Sequence, residues 1–303
     1  MIDELHLHRA DRVATYWEFR NKLRTVRTYK SKKPFQHLHA PGDFLNAVRC
    51  CEGDCEKRKC AADKAVLLWF LEKLIREARV FDNGSFLLRE PTVERFKPIL
   101  HVGWGMDCFS ETGFDYSRFT AVIETSADPK YRLLALEPVG MVYITARLPF
   151  RSFIIGMNIP PFPDFGTLSS FFDNFSEPET QAISHGYGRG IYFKVFSLRS
   201  ALREALDCPC FFNPCYAIRG AAFAYTMVNS THLDSVFHTA RELVCKNVGR
   251  EECRYFSDGV ASAVSFLEWN SPGLLETLEE NIIVEQAGEI LNAYRAEGGV
   301  YKL

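Results

Sequence analysis

The chain has almost no net charge: 36 Lys and Arg stand against 38 Asp and Glu in 303 residues, a formal −2. Such a balance supplies no field that draws in nucleic acid or an anionic membrane, so neither is expected as a partner. Nor does any run approach the ~18 uninterrupted apolar residues of a spanning helix. The opening Met1-Ile2-Asp3-Glu4-Leu5-His6 is acidic where a signal peptide would be basic and then apolar. No membrane span and a cytoplasmic location are therefore expected. In that compartment the ten cysteines are expected as thiols or metal ligands rather than disulfides. Also missing are a Ser-His-Asp arrangement, a phosphate loop, a His-Glu-x-x-His helix and a paired-carboxylate motif, which removes the shortest routes from sequence to activity.

What the chain has is apolar and aromatic bulk: 47% hydrophobic residues, with 25 Phe, 12 Tyr and 4 Trp. That is enough for a sizeable core, with aromatics left over to line a pocket for an unsaturated ligand. It also has a recurring pattern of Gly, a second small residue, and then bulky apolar side chains. The pattern begins at Gly103, Gly140, Gly186, Gly220 and Gly259, at roughly 40-residue intervals, the signature of a repeated structural unit. Gly and Ala at helical spacing let two backbones approach closely; a Gly at a helix start also leaves N–H groups open to a ligand. Gly186-Tyr187-Gly188-Arg189-Gly190 lacks both the spacing and the preceding strand of a dinucleotide loop.

Between these segments lie more polar helical patterns, such as Tyr116 to Glu124 and Ser197 to Asp207, the latter with Leu198, Ala201, Leu202, Ala205 and Leu206 on one face. The spacing predicts an all-α fold of repeated helix pairs, forming an array or closed bundle around an apolar pocket. Val139 to Leu148 and Ile191 to Phe196 also suit strands. Residues 1–90 are expected as an N-terminal helical region, with an amphipathic helix followed by a basic tail to about Lys33, a turn and N-cap at Pro41-Gly42-Asp43, a cysteine cluster and an apolar helix capped by Asp63. Residues 91–303 form the repeat-built domain, the two expected to pack as one unit. Three prolines in Ile159 to Gly166 exclude helix there, and helix returns from Gly273 to Tyr294.

Four segments together carry a resemblance. They are Leu134-Ala135-Leu136-Glu137-Pro138-Val139-Gly140 running on to Ala146-Arg147-Leu148-Pro149, His185 to Phe193, Arg219-Gly220-Ala221-Ala222-Phe223-Ala224, and Asp258-Gly259-Val260-Ala261-Ser262-Ala263. Over about residues 95 to 270 the chain resembles a bacterial family of unassigned activity from enediyne polyketide biosynthesis clusters. The resemblance implies a hydrophobic polyene intermediate as ligand, bound or modified by cyclisation, isomerisation or desaturation, and other biosynthetic proteins as partners. It implies no particular reaction.

The polar residues set among the repeats are the candidates for chemistry. Equivalent positions of stacked units converge on one surface, so His185, Asp107 and Glu137 are candidate proton-transfer groups, with Arg189 and Arg147 as stabilisers of negative charge. His185 and Arg189 lie one helical turn apart. Trp104, Tyr143, Tyr187, Tyr192 and Phe223 are candidate substrate-binding aromatics. No cofactor is expected. The alternative is a zinc or iron enzyme using Cys50, Cys51, Cys55 and Cys60, whose spacing approaches that of thiolate sites. A further alternative is a helical-repeat scaffold that binds a partner chain without catalysis.

Overall fold

The computed structural model describes residues 20, 22–23, 35–52, 64–79, 81, 84–147, 161–195, 197–246, 248–270 and 272–296. Every regular element among them is helical. Of the two segments that also suit strands, Val139 to Ala146 and Ile191 to Lys194 lie in helices. The amphipathic helix and basic tail to about Lys33, the Asp63 cap, Cys55 and Cys60 lie in or mostly in the part outside the described residues.

The helices are α1 (Pro41–Glu52), α2 (Lys64–Ala78), α3 (Ser85–Arg89), α4 (Lys97–Thr112), α5 (Tyr116–Ser126), α6 (Arg132–Leu136) and α7 (Pro138–Ala146). They continue with α8 (Phe165–Phe172), α9 (Glu177–Lys194), α10 (Leu198–Leu206), α11 (Pro214–Val228), α12 (Leu233–His238), α13 (Arg250–Asn270) and α14 (Ile282–Ala296). The five glycine-bearing segments fall on α4, α7, α9, α11 and α13. Each is followed by a helix with a more exposed face, so the pairing expected from the sequence is present. Four ends follow local chemistry: Asp115, Asp164, Ser197 and Asn213 each accept a backbone N–H of the first turn. Ser176 and Glu179 cap α9 reciprocally.

Three local expectations change. Helix α1 starts at Pro41, with Asp43 inside its first turn and the Asp43 carboxylate accepting the N–H groups of His39 and Ala40. From Gly273 the chain is not continuous helix. The Glu268 carboxylate takes the N–H groups of Gly273, Leu274 and Leu275, and α14 begins only at Ile282, where the Asn281 side chain caps it. Finally, Cys245 and Cys253 form a disulfide where thiols are expected.

Buried apolar residues from Phe35 to Leu291 make one continuous cluster. Helix α9 packs between α7 and α11, α11 against α13, and α4 against α2, α6 and α7. The indole N–H of Trp269, near the end of α13, donates to the Arg95 carbonyl at 3.0 Å, tying the last helix of the series to the turn before α4. Most of the repeat glycines sit inside their helices, not at the starts. A Cβ at Gly103, Gly105, Gly140, Gly186, Gly188, Gly220 or Gly259 would come under 3.0 Å from a neighbouring helix backbone. The local helix penalty of Gly, about 1 kcal/mol each, is offset by contacts that only a missing side chain permits.

Gly186→Ala should therefore lose about 3 kcal/mol in urea unfolding through overpacking. Gly288→Ala, on α14 with nothing within 4 Å of the added carbon, should gain about 1 kcal/mol. Equal effects from the two substitutions would contradict the packing account.

Candidate functional site

Glu137 stands between α6 and α7, in helical backbone conformation, immediately before Pro138. Proline at the first position of α7 lacks an N–H, so the two helices join without a full ladder and Glu137 is held at the joint. The Glu137 carbonyl faces Gly186 of α9, where a Cβ would clash, and the His185 carbonyl faces Gly220 of α11 in the same way. These approaches bring His185 and Arg189, one turn apart, within reach of a single carboxylate. The His185 Nδ1 lies 2.7 Å from Glu137 Oε1, and the Arg189 guanidinium donates to the same oxygen at 2.8 Å. All three residues are buried.

The charge states follow from these partners. Burial works against the Glu137 carboxylate, but the Arg189 cation, then His185, outweigh it and hold its pKa at about 2. Because an ionised carboxylate only accepts, Nδ1–H of His185 is the donor. Burial lowers the His185 pKa from its ordinary 6.5 despite the upward pull of Glu137. The ring is thus neutral, with its proton on Nδ1 and its lone pair on Nε2. The His185 and Phe223 rings meet in an edge-to-face contact, centroids 5.3 Å apart, and the Arg189 guanidinium lies 5.5 Å from the centroid of the Phe223 ring.

These groups line a crevice where the inner helices meet. Its walls come from Glu72 of α2, Ile99 and Val102 of α4, Leu134 and Glu137, His185, Arg189 and Phe193 of α9, Phe223, Ala224 and Met227 of α11, and Phe266 of α13. The space within it that a water molecule can occupy is about 20 Å³ in all, room for about one water. Counting the mouth that opens to solvent, it encloses about 510 Å³ free of protein atoms.

Of the sequence candidates, Glu137, His185, Arg189 and Phe223 come together here. Asp107 does not: Arg76 and Arg79 hold it at 3.2 and 3.4 Å, and it is absent from the crevice wall. Arg147 is exposed at the end of α7, its guanidinium 5.7 Å from the Tyr143 ring and 5.5 Å from that of Phe162. Tyr143 and Tyr187 belong to an aromatic cluster with Phe172 and Phe212, where Tyr187 and Phe212 stack at 4.2 Å. Tyr192 packs edge-on against Tyr225 with the Lys22 ammonium over its ring, and Trp104 is buried in the core. These four aromatics serve packing rather than the crevice, which accounts for part of the aromatic excess. His101 is a structural histidine: its Nδ1–H donates to the Lys97 carbonyl and its Nε2 accepts the Asp128 N–H. Burial pushes its pKa down to about 4.

Sequence reasoning missed Glu72. The available signal was a carboxylate in the middle of a strongly apolar helical pattern. Cys50 and Cys51 end α1, and among the described residues no group of three or more His, Cys, Asp and Glu is placed to hold a metal. No helix among the described residues is long and apolar enough to cross a membrane. The chain matches no family model, no curated protein and no solved structure.

Glu137→Gln would remove the charged carboxylate to which the buried Arg189 donates. The substitution should cost about 3–5 kcal/mol in denaturant unfolding at neutral pH. A cost below about 1 kcal/mol would mean that solvent, not Glu137, balances the guanidinium.

Proposed function

We propose that this protein is a proton-transfer enzyme acting on a hydrophobic, unsaturated polyketide intermediate of the enediyne type. The observation that carries the reading is the arrangement of His185 in the crevice. A neutral imidazole, oriented by a buried carboxylate through Nδ1, keeps Nε2 as the ring atom left to act as a base. In this role Glu137 fixes the tautomer and stabilises the imidazolium that forms when a proton is taken. Arg189 keeps Glu137 ionised. The substrate class is supported by the resemblance of residues 95–270 and by apolar crevice walls such as Phe193, Phe223, Met227 and Phe266. The proposed chemistry uses neither Asp107 nor Arg147, and it assigns the aromatic contacts with substrate to Phe193, Phe223 and Phe266.

The test is hydrogen exchange. Wild-type protein, incubated in D2O with the product of a polyene-forming synthase, should introduce deuterium into the recovered product, read by mass spectrometry. His185→Gln should fold normally by circular dichroism and exchange at least about 100-fold more slowly. Equal deuterium uptake with the two proteins, or none with wild type, would contradict the proposal.

A further inference from the structure

Glu72 is the unexplained group of the crevice. It is 2% exposed, it lines the cavity beside Glu137, His185 and Arg189, and its Oε1 makes no hydrogen bond. An unpartnered buried carboxyl oxygen costs stability unless something else occupies its lone pair or its proton. Arg189 in the same wall donates to Glu137 and acts on Glu72 through its charge. Glu72 is not placed by accident of packing. Gly103 of α4 lies against the Glu72 carbonyl, where a Cβ would clash, so the same kind of close approach that sets Glu137 and His185 also sets Glu72.

We propose that Glu72 is a further catalytic residue of this site, the hydrogen-bond donor that receives the carbonyl oxygen of an unsaturated ketone or thioester while His185 takes a proton from the adjacent carbon. The inference rests on the proton-transfer reading of His185. A carboxyl donates only when it carries its proton, and the surroundings favour that state. Burial raises the Glu72 pKa above its ordinary 4.5; Arg189 and then Arg76 pull it down, and the charge of Glu137 pushes it up. His185 is neutral, and Arg76 is itself held by Asp107. A neutral acid kept dry beside a base is a known means of stabilising a developing enolate.

The step balances without any oxidant or cofactor. Nε2 of His185 accepts the proton from the carbon next to the carbonyl, and the C–H electron pair becomes a C=C bond. The carbonyl π pair moves to oxygen, where the Glu72 O–H holds it. The imidazolium, paired with Glu137, then returns the proton to the far carbon of the dienolate, and the π pair returns to re-form C=O. The product is the conjugated isomer of the starting compound, unchanged in oxidation state.

The probe is a β,γ-unsaturated decenoyl thioester of N-acetylcysteamine, whose conjugated product is read by ultraviolet absorbance. Glu72→Leu, apolar in an apolar wall, should fold and lose about 10²- to 10³-fold in kcat. Glu72→Gln retains an N–H donor and should stay within about tenfold of wild type. Its pH profile supplies a second readout. The wild-type rate should fall on the alkaline side as Glu72 ionises, and this limb should be absent from Glu72→Gln while the acid limb set by His185 remains in both. Independently of turnover, the infrared spectrum of the wild type at neutral pH should contain a protonated-carboxyl band missing from Glu72→Gln. If Glu72→Leu isomerises the probe at the wild-type rate, or the band is the same in both proteins, while His185→Gln is inactive, the role of Glu72 is overturned and that of His185 stands. If wild type and His185→Gln are equally inert toward the probe, the proton-transfer reading falls, and the role of Glu72 with it.

Discussion

Contact between the backbone of one helix and a glycine of the next is the constraint on which this molecule depends. Gly103 meets the Glu72 carbonyl, Gly186 that of Glu137, Gly220 that of His185 and Gly259 that of Arg219. Contacts of a glycine Cα with a carbonyl oxygen are individually weak, but they hold the two backbones so close that an added Cβ would clash. Three of those four carbonyls belong to titratable residues that line the crevice. The glycine ladder therefore fixes the positions of Glu72, Glu137 and His185 relative to one another, and a single added methyl group would displace a site residue as well as a helix.

The second constraint is charge in a dry interior. Two carboxyl groups, one guanidinium and one imidazole share the crevice wall. The arrangement is one ion pair, Glu137 with Arg189, beside an imidazole and a second carboxyl whose charged forms burial disfavours. In the proposed reaction this set provides one group to donate a proton and another to accept one. Asp107 shows the contrast: Arg76 and Arg79 contact its two oxygens, and Arg79 also reaches Glu111 at 2.7 Å.

Much of the architecture was legible in the sequence, because helix pairs and small-residue faces are periodic and caps are local. Asn213 before Pro214, Ser176 before Glu179, and Ser197 before Leu198 each declare a helix start. The pairing of His185 with Arg189 was legible for the same reason, a separation of one turn. What could not be read was which face each polar residue turns to. Asp107 and Glu137 look alike beside their glycines, yet one is taken by two arginines of α2 and its C-terminal turn, and the other faces the crevice. Glu72 was hidden because an apolar pattern draws attention to its apolar members. The Cys245–Cys253 bridge depends on the chain returning after the π-helical turn Thr239–Val244, which spacing alone does not specify.

The state of His185 is the point on which site and chemistry both rest, and nitrogen-15 NMR of its imidazole reads that state directly. With Nδ1–H given to Glu137 and burial opposing the charged form, the ring should show a protonated Nδ1 and a bare Nε2 at neutral pH. It should remain neutral as pH falls through 6.5, its ordinary value, with stability lost below that pH as the unfolded chain takes up the proton the folded chain refuses. An imidazolium at neutral pH, or a ring protonated on Nε2 alone, would contradict the account.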